Sequence, residues 1–212
     1  MIHVNDMIEI QVITMNIQKE IRFPFTNQKF IQTKTLLQAN LSHYMINRLV
    51  DEEVLLKINK IWYENLKYKG DDSDFLYVSP YVSVGIVSLM SAAVFHGMST
   101  FRSTQIDVGV PQKTKITKLP QWPTIGIYYF DTARYETGIQ TLEIEGGSFQ
   151  IYDREKTVCD LLTYRNKYGL EDCLAVLKAY LRREDRDINK LISYSEKLRS
   201  YHILSKYLEV LL

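Results

Sequence analysis

The chain has 212 residues, of which 46% are hydrophobic and 24% charged, a composition that supports a packed core and excludes a largely disordered chain. Its formal net charge of +1 at pH 7 excludes a polybasic, histone-like protein, although locally clustered charge can still bind DNA. This length suits a small domain joined to a medium-sized one.

The first predicted elements are helical. Apolar residues recur at helical spacing over residues 5–19, and Pro24 ends whatever precedes it. A short helix is predicted over Thr33–Ala39, with Leu36 and Leu37 facing inward. Residues 40–42 then form a predicted turn.

The helix that follows this turn is predicted over His43–Glu53, with Ser42 as its N-cap. Its apolar residues fall on one face of a 3.6-residue period. These residues are Met45, Ile46, Leu49 and Val50.

Two short runs of strand-forming residues come next, over Val54–Ile58 and Ile61–Asn65, with the polar pair Asn59–Lys60 between them. Helix, turn, helix and hairpin in this order are typical of a winged helix-turn-helix, whose second helix lies in the major groove. We therefore predict such a DNA-binding domain over residues 1–70. The charged segment Lys67–Asp74 is the predicted linker.

A second domain is predicted over residues 75–212. It starts with a short buried helix that Ser88 caps and Gly97 ends. Alternating apolar residues predict strands over residues 106–110 and 125–129, and a hairpin in which Leu142 and Ile144 are paired with Phe149 and Ile151.

Beyond Asp153 the pattern changes to the helical period. Four helical faces are predicted, on apolar residues between 158 and 162, 170 and 181, 188 and 198, and 203 and 211. The predicted fold class is therefore α+β: an N-terminal winged helix-turn-helix, then a small mixed β-sheet domain with a helical C-terminal half.

The candidate functional residues are the polar residues of the second N-terminal helix and of the hairpin. Asn and Arg read adenine and guanine edges, whereas Ser, Tyr and Lys commonly hold phosphates. Generic surface helices expose similar residues, and residues 1–70 contain nine Lys and Arg against seven Asp and Glu. The predicted DNA contacts are Ser42, His43, Tyr44, Asn47, Arg48, Lys57, Asn59 and Lys60.

Two other functions are compatible with the pattern. The acidic run Asp51–Glu53 at the end of the second helix favours a protein-interaction module in which the winged helix binds a partner protein. A metal-dependent nuclease would need carboxylates on adjacent strands together with a lysine. Asp107, Glu143, Glu145 and Lys113 suggest that arrangement, but solvent-facing carboxylates alternating with core residues explain it more simply, so we expect no catalytic residues.

Cofactor and targeting signals are missing from the sequence. It contains no Gly-rich phosphate loop, GxSxG elbow or HExxH motif. Cys159 and Cys173 lie in helical patterns, and the four histidines lack ligand spacing, so buried thiols and no structural zinc are expected. We expect a cytoplasmic protein, since neither a signal peptide nor a membrane span is recognisable.

Three stretches together resemble a known family, that of the AbiEi-type antitoxins. These proteins are the transcriptional regulators of type IV toxin–antitoxin pairs in abortive infection, a phage defence. Thr35–Leu55 looks like the family's winged-helix segment. Val87–Met98 is similar to the family's helix of Ser and Ala residues that ends in His-Gly. Ile151–Leu162 is similar to the family's strand that is followed by Glu-Lys-Thr and then by Asp-Leu-Leu. The hairpin differs, because Asn59–Trp62 precedes Tyr63 where the family usually has a glycine.

The resemblance implies a bacterial repressor that binds inverted repeats in duplex DNA upstream of its own operon and counteracts a co-encoded nucleotidyltransferase-like toxin. It also implies that the second domain is needed for antitoxicity. Ser42, Tyr44, Asn47, Arg48 and Lys60 correspond by position to DNA contacts. A second set matches the second-domain signature, and we interpret it first as a helix N-terminus with charged partners. This set is Arg154, Glu155, Lys156 and Asp160.

Overall fold

The computed structural model describes residues 23–71, 73–101 and 103–211. They form an α+β fold with two separate β-sheets, which confirms the predicted fold class at that level. The helix predicted over residues 5–19 lies outside the described residues.

The smaller sheet belongs to the N-terminal unit, which we define as residues 23–66. This unit consists of β1 (Phe30–Gln32), α1 (Thr33–Gln38), α2 (His43–Asp51), β2 (Leu55–Lys57) and β3 (Trp62–Asn65). Strand β3 lies between β1 and β2 and is antiparallel to both. The predicted helices and hairpin are therefore present, whereas β1 is too short to show an alternating pattern.

Helices α1 and α2 pack with this sheet around a small core of its own. Leu36 is fully buried, but Leu37 is 40% exposed, so the prediction that both leucines face inward is wrong for Leu37. The two are adjacent on a helix and point about 100° apart, which leaves room in the core for only one of them. The buried core residues are Ile31, Leu36, Leu41, Ile46, Leu49, Leu55 and Tyr63.

The larger sheet has five strands in the order β6-β5-β4-β8-β7. They are β4 (Ile86–Val87), β5 (Ile106–Pro111), β6 (Ile125–Phe130), β7 (Ile139–Ile144) and β8 (Gly147–Tyr152). Strands β5 and β6 are parallel, as are β4 and β8, whereas β7 and β8 form an antiparallel hairpin. The predicted hairpin is present, and Leu142 lies opposite Phe149, but the rest of the predicted pairing is wrong because Ile144 lies opposite Gly147 and Ile151 opposite Gln140. The two-residue strand β4 was not predicted.

Alternate residues of these strands face two different cores. Tyr128, Phe130 and Tyr152 contact the helical core, whereas Val108 and Ile151 contact the core on the opposite face. That second face is covered by the 3₁₀-helix Asp74–Tyr77 and by α3 (Val78–Tyr81). The other helices are α4 (Leu89–Phe95), α5 (Thr132–Glu136), α6 (Arg154–Thr163), α7 (Arg165–Tyr168), α8 (Leu170–Leu181), α9 (Ile188–Lys197) and α10 (Tyr201–Leu211).

The N-terminal unit is packed on this second face of the larger sheet. Phe30 and Trp62 contact its apolar core. The Lys29 N–H donates to the Gly146 carbonyl at 2.9 Å, and the Asn59 amide donates to the Pro80 carbonyl at 2.9 Å. Apolar contact, one backbone hydrogen bond and one side-chain hydrogen bond therefore hold the two parts together.

Both cysteines are buried and free of disulfide bonds, which confirms the predicted buried thiols. Burial raises the pKa of Cys159 to about 12 and that of Cys173 to about 11. Among the described residues, no helix has both the length and the apolar character of a membrane span.

Candidate nucleic-acid interface

Helix α2 has one buried and one exposed side. Ile46 and Leu49 are buried, with Met45 and Val50 partly buried beside them, as predicted from the helical period. The opposite side carries the polar residues. Those exposed there are Ser42, His43, Tyr44, Asn47 and Asp51, and Tyr44 is 76% exposed.

Ser42 begins the helix. Its hydroxyl accepts a hydrogen bond from the Met45 N–H at 3.3 Å, so the predicted N-cap is confirmed. The cap satisfies one of the free N–H groups in the first turn of α2. The Ser42 hydroxyl can still donate its own hydrogen to a phosphate oxygen.

Arg48 differs from its neighbours because it is engaged within the helix. Its Nε donates to a Glu52 carboxylate oxygen at 2.7 Å, one turn further along. Both side chains are partly exposed, so such a pair contributes little to stability and can exchange for another partner. Arg48 therefore lies at the candidate surface with its charge partly neutralised.

The hairpin presents two lysines and a structural asparagine. Lys57 and Lys60 are exposed, and no described carboxylate lies within ion-pair distance of either ammonium group. The Asn59 Oδ1 accepts from the N–H groups of Ile61 and Trp62 at 2.8 and 3.0 Å. Because its amide nitrogen donates to the Pro80 carbonyl, Asn59 stabilises the turn and links it to α3.

The charge of this surface is mixed. Asp51, Glu52 and Glu53 are all exposed at the end of α2, as their sequence positions suggested. Lys57 and Lys60 lie on the hairpin that follows. Cations are therefore gathered at the hairpin, and the C-terminal end of α2 is acidic.

A second group of charged residues lies at α6, where two of the signature residues are buried. Lys156 and Asp160 are both fully buried and form an ion pair one helical turn apart. Arg134 of α5 also donates to Asp160 and, at 3.2 Å, to the Leu198 carbonyl. The Lys156 ammonium lies 4.0 Å from the centroid of the Tyr152 ring.

The other two signature residues connect α6 to later parts of the chain. Glu155 accepts a hydrogen bond from the Tyr180 hydroxyl at 2.9 Å and pairs with Lys190 at 3.1 Å. Arg154 pairs with Asp185 at 2.6 Å. All four signature residues thus have partners within the chain, which agrees with the structural interpretation. Arg134, Tyr180 and Lys190 are distant in sequence and were not predicted as partners.

The carboxylates considered for a nuclease are not arranged as that chemistry requires. Asp107 is on β5 and Glu143 on β7, and β4 and β8 lie between these strands, so the predicted adjacency is wrong. Asp107 is also fully buried rather than facing solvent, and its carboxylate accepts from the Gln105 amide at 3.0 Å. Within the described ranges, no group of three or more His, Cys, Asp and Glu residues could hold a metal ion.

Ser88, the predicted cap of α4, and His96 lie at opposite ends of that helix. The His96 Nε2 lies 2.7 Å from the Tyr152 carbonyl oxygen of β8, so the ring bridges to another element and does not bond the end of its own helix. Burial lowers the pKa of His96, which favours the neutral ring. Ser88 occupies the N-cap position of α4, but its side chain makes no capping hydrogen bond.

No protein-family model and no curated protein sequence matches this chain.

Proposed function

We propose that residues 1–70 form a winged helix-turn-helix that binds duplex DNA, with α2 in the major groove and the β2–β3 hairpin on the phosphate backbone. One observation carries the proposal. Helix α2 is followed directly by a two-stranded hairpin, and its polar side is exposed while its apolar side packs on the sheet. A helix and hairpin so placed match the docking geometry of this class of DNA-binding domain.

The residues divide into base-reading and backbone-contacting groups. Asn47 is exposed, and no hydrogen bond within the described chain engages its amide, so it is the first candidate for reading an adenine edge. Arg48 would have to exchange Glu52 for a base or a phosphate. Tyr44, Lys57 and Lys60 are exposed and suit phosphate contacts.

The test is a binding titration with DNA from upstream of the gene, compared with random duplex. Asn47→Ala should cost about 1–3 kcal/mol on the preferred sequence and little on random DNA. Asn189→Ala, an exposed asparagine on α9, is the matched control and should bind like the wild-type protein. Changing Lys57 and Lys60 to Ala should weaken all sequences alike and reduce the salt slope by about 0.9 per lost phosphate contact. A wild-type protein that shows no sequence preference would contradict the proposal.

We further propose that the protein represses its own operon and acts as the antitoxin of a nucleotidyltransferase-like toxin. This part rests on the resemblance of Thr35–Leu55, Val87–Met98 and Ile151–Leu162 to the AbiEi-type antitoxins. The test is co-expression with the product of the adjacent gene. We expect restored growth with the antitoxin, and also with the Asn47→Ala variant, because antitoxicity is assigned to the second domain. A neighbouring gene unrelated to nucleotidyltransferases would count against the antitoxin role.

A protein-interaction module is the second candidate, and exposed apolar residues of the N-terminal unit favour it. Leu37, Leu56 and Ile61 are 40%, 49% and 56% exposed, and the end of α2 is acidic. A unit that exposes both apolar and acidic side chains suits a basic, partly apolar protein surface better than it suits phosphates. Co-purification of a neighbouring gene product, with no DNA retained, would favour this candidate over DNA binding.

A further inference from the structure

The segment between β5 and β6 carries a concentration of positive charge without nearby acidic residues in sequence. Residues 108–130 contain three lysines, at 113, 115 and 118, and no Asp or Glu. All three lysines are exposed, and no described carboxylate lies within ion-pair distance of them. In a chain with a net charge of +1, this loop is a local positive surface.

The loop that carries these lysines is anchored by packing on the core and by a hydrogen-bonded turn. Ile116 and Leu119 alternate with the lysines and pack on the core beneath the sheet. The Thr114 hydroxyl donates to the Pro111 carbonyl at 2.7 Å and closes a turn at the start of the loop. The apolar residues therefore face inward while the ammonium groups project into solvent.

An aromatic groove adjoins the end of the loop. Trp122 is 67% exposed, so its ring is not part of the hydrophobic core. With Phe101 and Phe75 it lines a groove of about 550 Å³. Ser103 and Thr104 add hydroxyl groups to the same groove, and Asp74 adds one carboxylate.

We infer that the lysine loop (residues 111–124) and this groove bind single-stranded nucleic acid. The ammonium groups of Lys113, Lys115 and Lys118 contact successive phosphates, and a base stacks on the exposed face of Trp122. Positive charge beside an exposed aromatic ring is the combination by which proteins hold unpaired strands. Duplex DNA offers the same phosphates but keeps its bases stacked away from Trp122. This site shares no residue with α2 and is independent of the function proposed for that helix.

The experiment measures the anisotropy of a labelled oligothymidylate of about 12 nucleotides, within the usual site sizes. We expect saturable binding to the wild-type protein. Changing Lys113, Lys115 and Lys118 together to Gln should flatten the dependence of log affinity on log salt by about 2, at about 0.7 per phosphate. Trp122→Ala should weaken binding by at least about fivefold, the lower range for one stacked base.

The matched control changes three exposed lysines of the C-terminal helices, Lys178, Lys197 and Lys206, to Gln. It alters the net charge equally and should leave the affinity unchanged, as should Asn47→Ala.

A further readout is tryptophan fluorescence, since Trp62 and Trp122 are the only tryptophans. With Trp62 changed to Phe, the oligonucleotide should quench the remaining emission.

Four outcomes would overturn the inference. The first is that the wild-type protein does not bind the oligonucleotide, and the second is that the control triple variant loses as much affinity as the loop variant. The third is equal affinity for a duplex of the same length. The fourth is binding to anionic phospholipid vesicles without binding to the oligonucleotide. The last two would reassign the surface to duplex DNA or to a membrane.

Discussion

Helices α2 and α6 use the same kinds of charged side chain in opposite environments. On α2, Arg48 and Glu52 pair in partial contact with solvent, where either charge can exchange its partner for water or a ligand. On α6, Lys156 and Asp160 pair with no solvent contact at all. The same spacing of four residues thus produces a replaceable surface pair in one helix and a permanent part of the core in the other.

Because Asp160 is buried, its substitution should cause the largest predicted loss in the free energy of unfolding. Asp160→Asn would leave two cations, Lys156 and Arg134, without their shared carboxylate. Removing one partner of a buried ion pair costs about 3–5 kcal/mol, because the remaining charge stays desolvated. Urea unfolding monitored by circular dichroism should show this loss.

The matched control is Asp185→Asn, which removes an exposed carboxylate that also has two arginine partners, Arg154 and Arg183. Its loss of stability should be much smaller than that of Asp160→Asn, because exposed ion pairs contribute little to stability. Equal costs for the two variants would show that burial does not distinguish these clusters.

A smaller effect is expected at Tyr180. Its hydroxyl donates to Glu155 and accepts from the Asp187 N–H at 2.8 Å, so Tyr180→Phe leaves a buried carboxylate with one donor fewer. We expect destabilisation of about 1–3 kcal/mol by the same unfolding assay. A change within a few tenths of a kcal/mol would mean that water replaces the hydroxyl.

Removing the N-cap of α2 should lower the free energy of unfolding by about 1 kcal/mol. Ser42→Ala removes the acceptor for the Met45 N–H at the helix start. Ser193→Ala, at an exposed position within α9, is the control and should be neutral or slightly stabilising because alanine is the better helix former. If both variants unfold alike, the cap contributes nothing.

The smallest effect on stability is expected at Glu52. Glu52→Gln removes the partner of Arg48 and should cost no more than about 0.5 kcal/mol. If α2 binds DNA, the same variant should bind more tightly, because a repelling charge is lost and Arg48 is released. Unchanged stability with weaker DNA binding would contradict the assigned position of this pair on the DNA-facing side.

The sequence predicted those features that depend on local periodicity. The spacing of Ile46 and Leu49 predicted the buried side of α2, and alternation predicted the β7–β8 hairpin but not its full register, since Ile144 lies opposite Gly147. Strands β1 and β4 were missed because two or three residues cannot show an alternating pattern. They form only because neighbouring strands supply hydrogen-bond partners.

The candidate site was predictable in its exposure but not in its partners. Asn47 and Tyr44 were expected on the surface from the helical period, and they lie there. The engagement of Asn59 with Pro80 depends on how the N-terminal unit packs on the larger sheet, which no local pattern contains. For the same reason Asp107 was expected in solvent and is buried.

The docking of the N-terminal unit on the larger sheet constrains how α2 could be repositioned. Rotating this unit away from the larger sheet would break the hydrogen bonds from Lys29 to Gly146 and from Asn59 to Pro80. It would also expose Phe30 and Trp62 to water. Each broken contact opposes that motion. A ligand bound to the C-terminal helices could therefore move α2 in only two ways. Either the whole molecule rotates as one rigid body, or the contacts between the N-terminal unit and the larger sheet loosen.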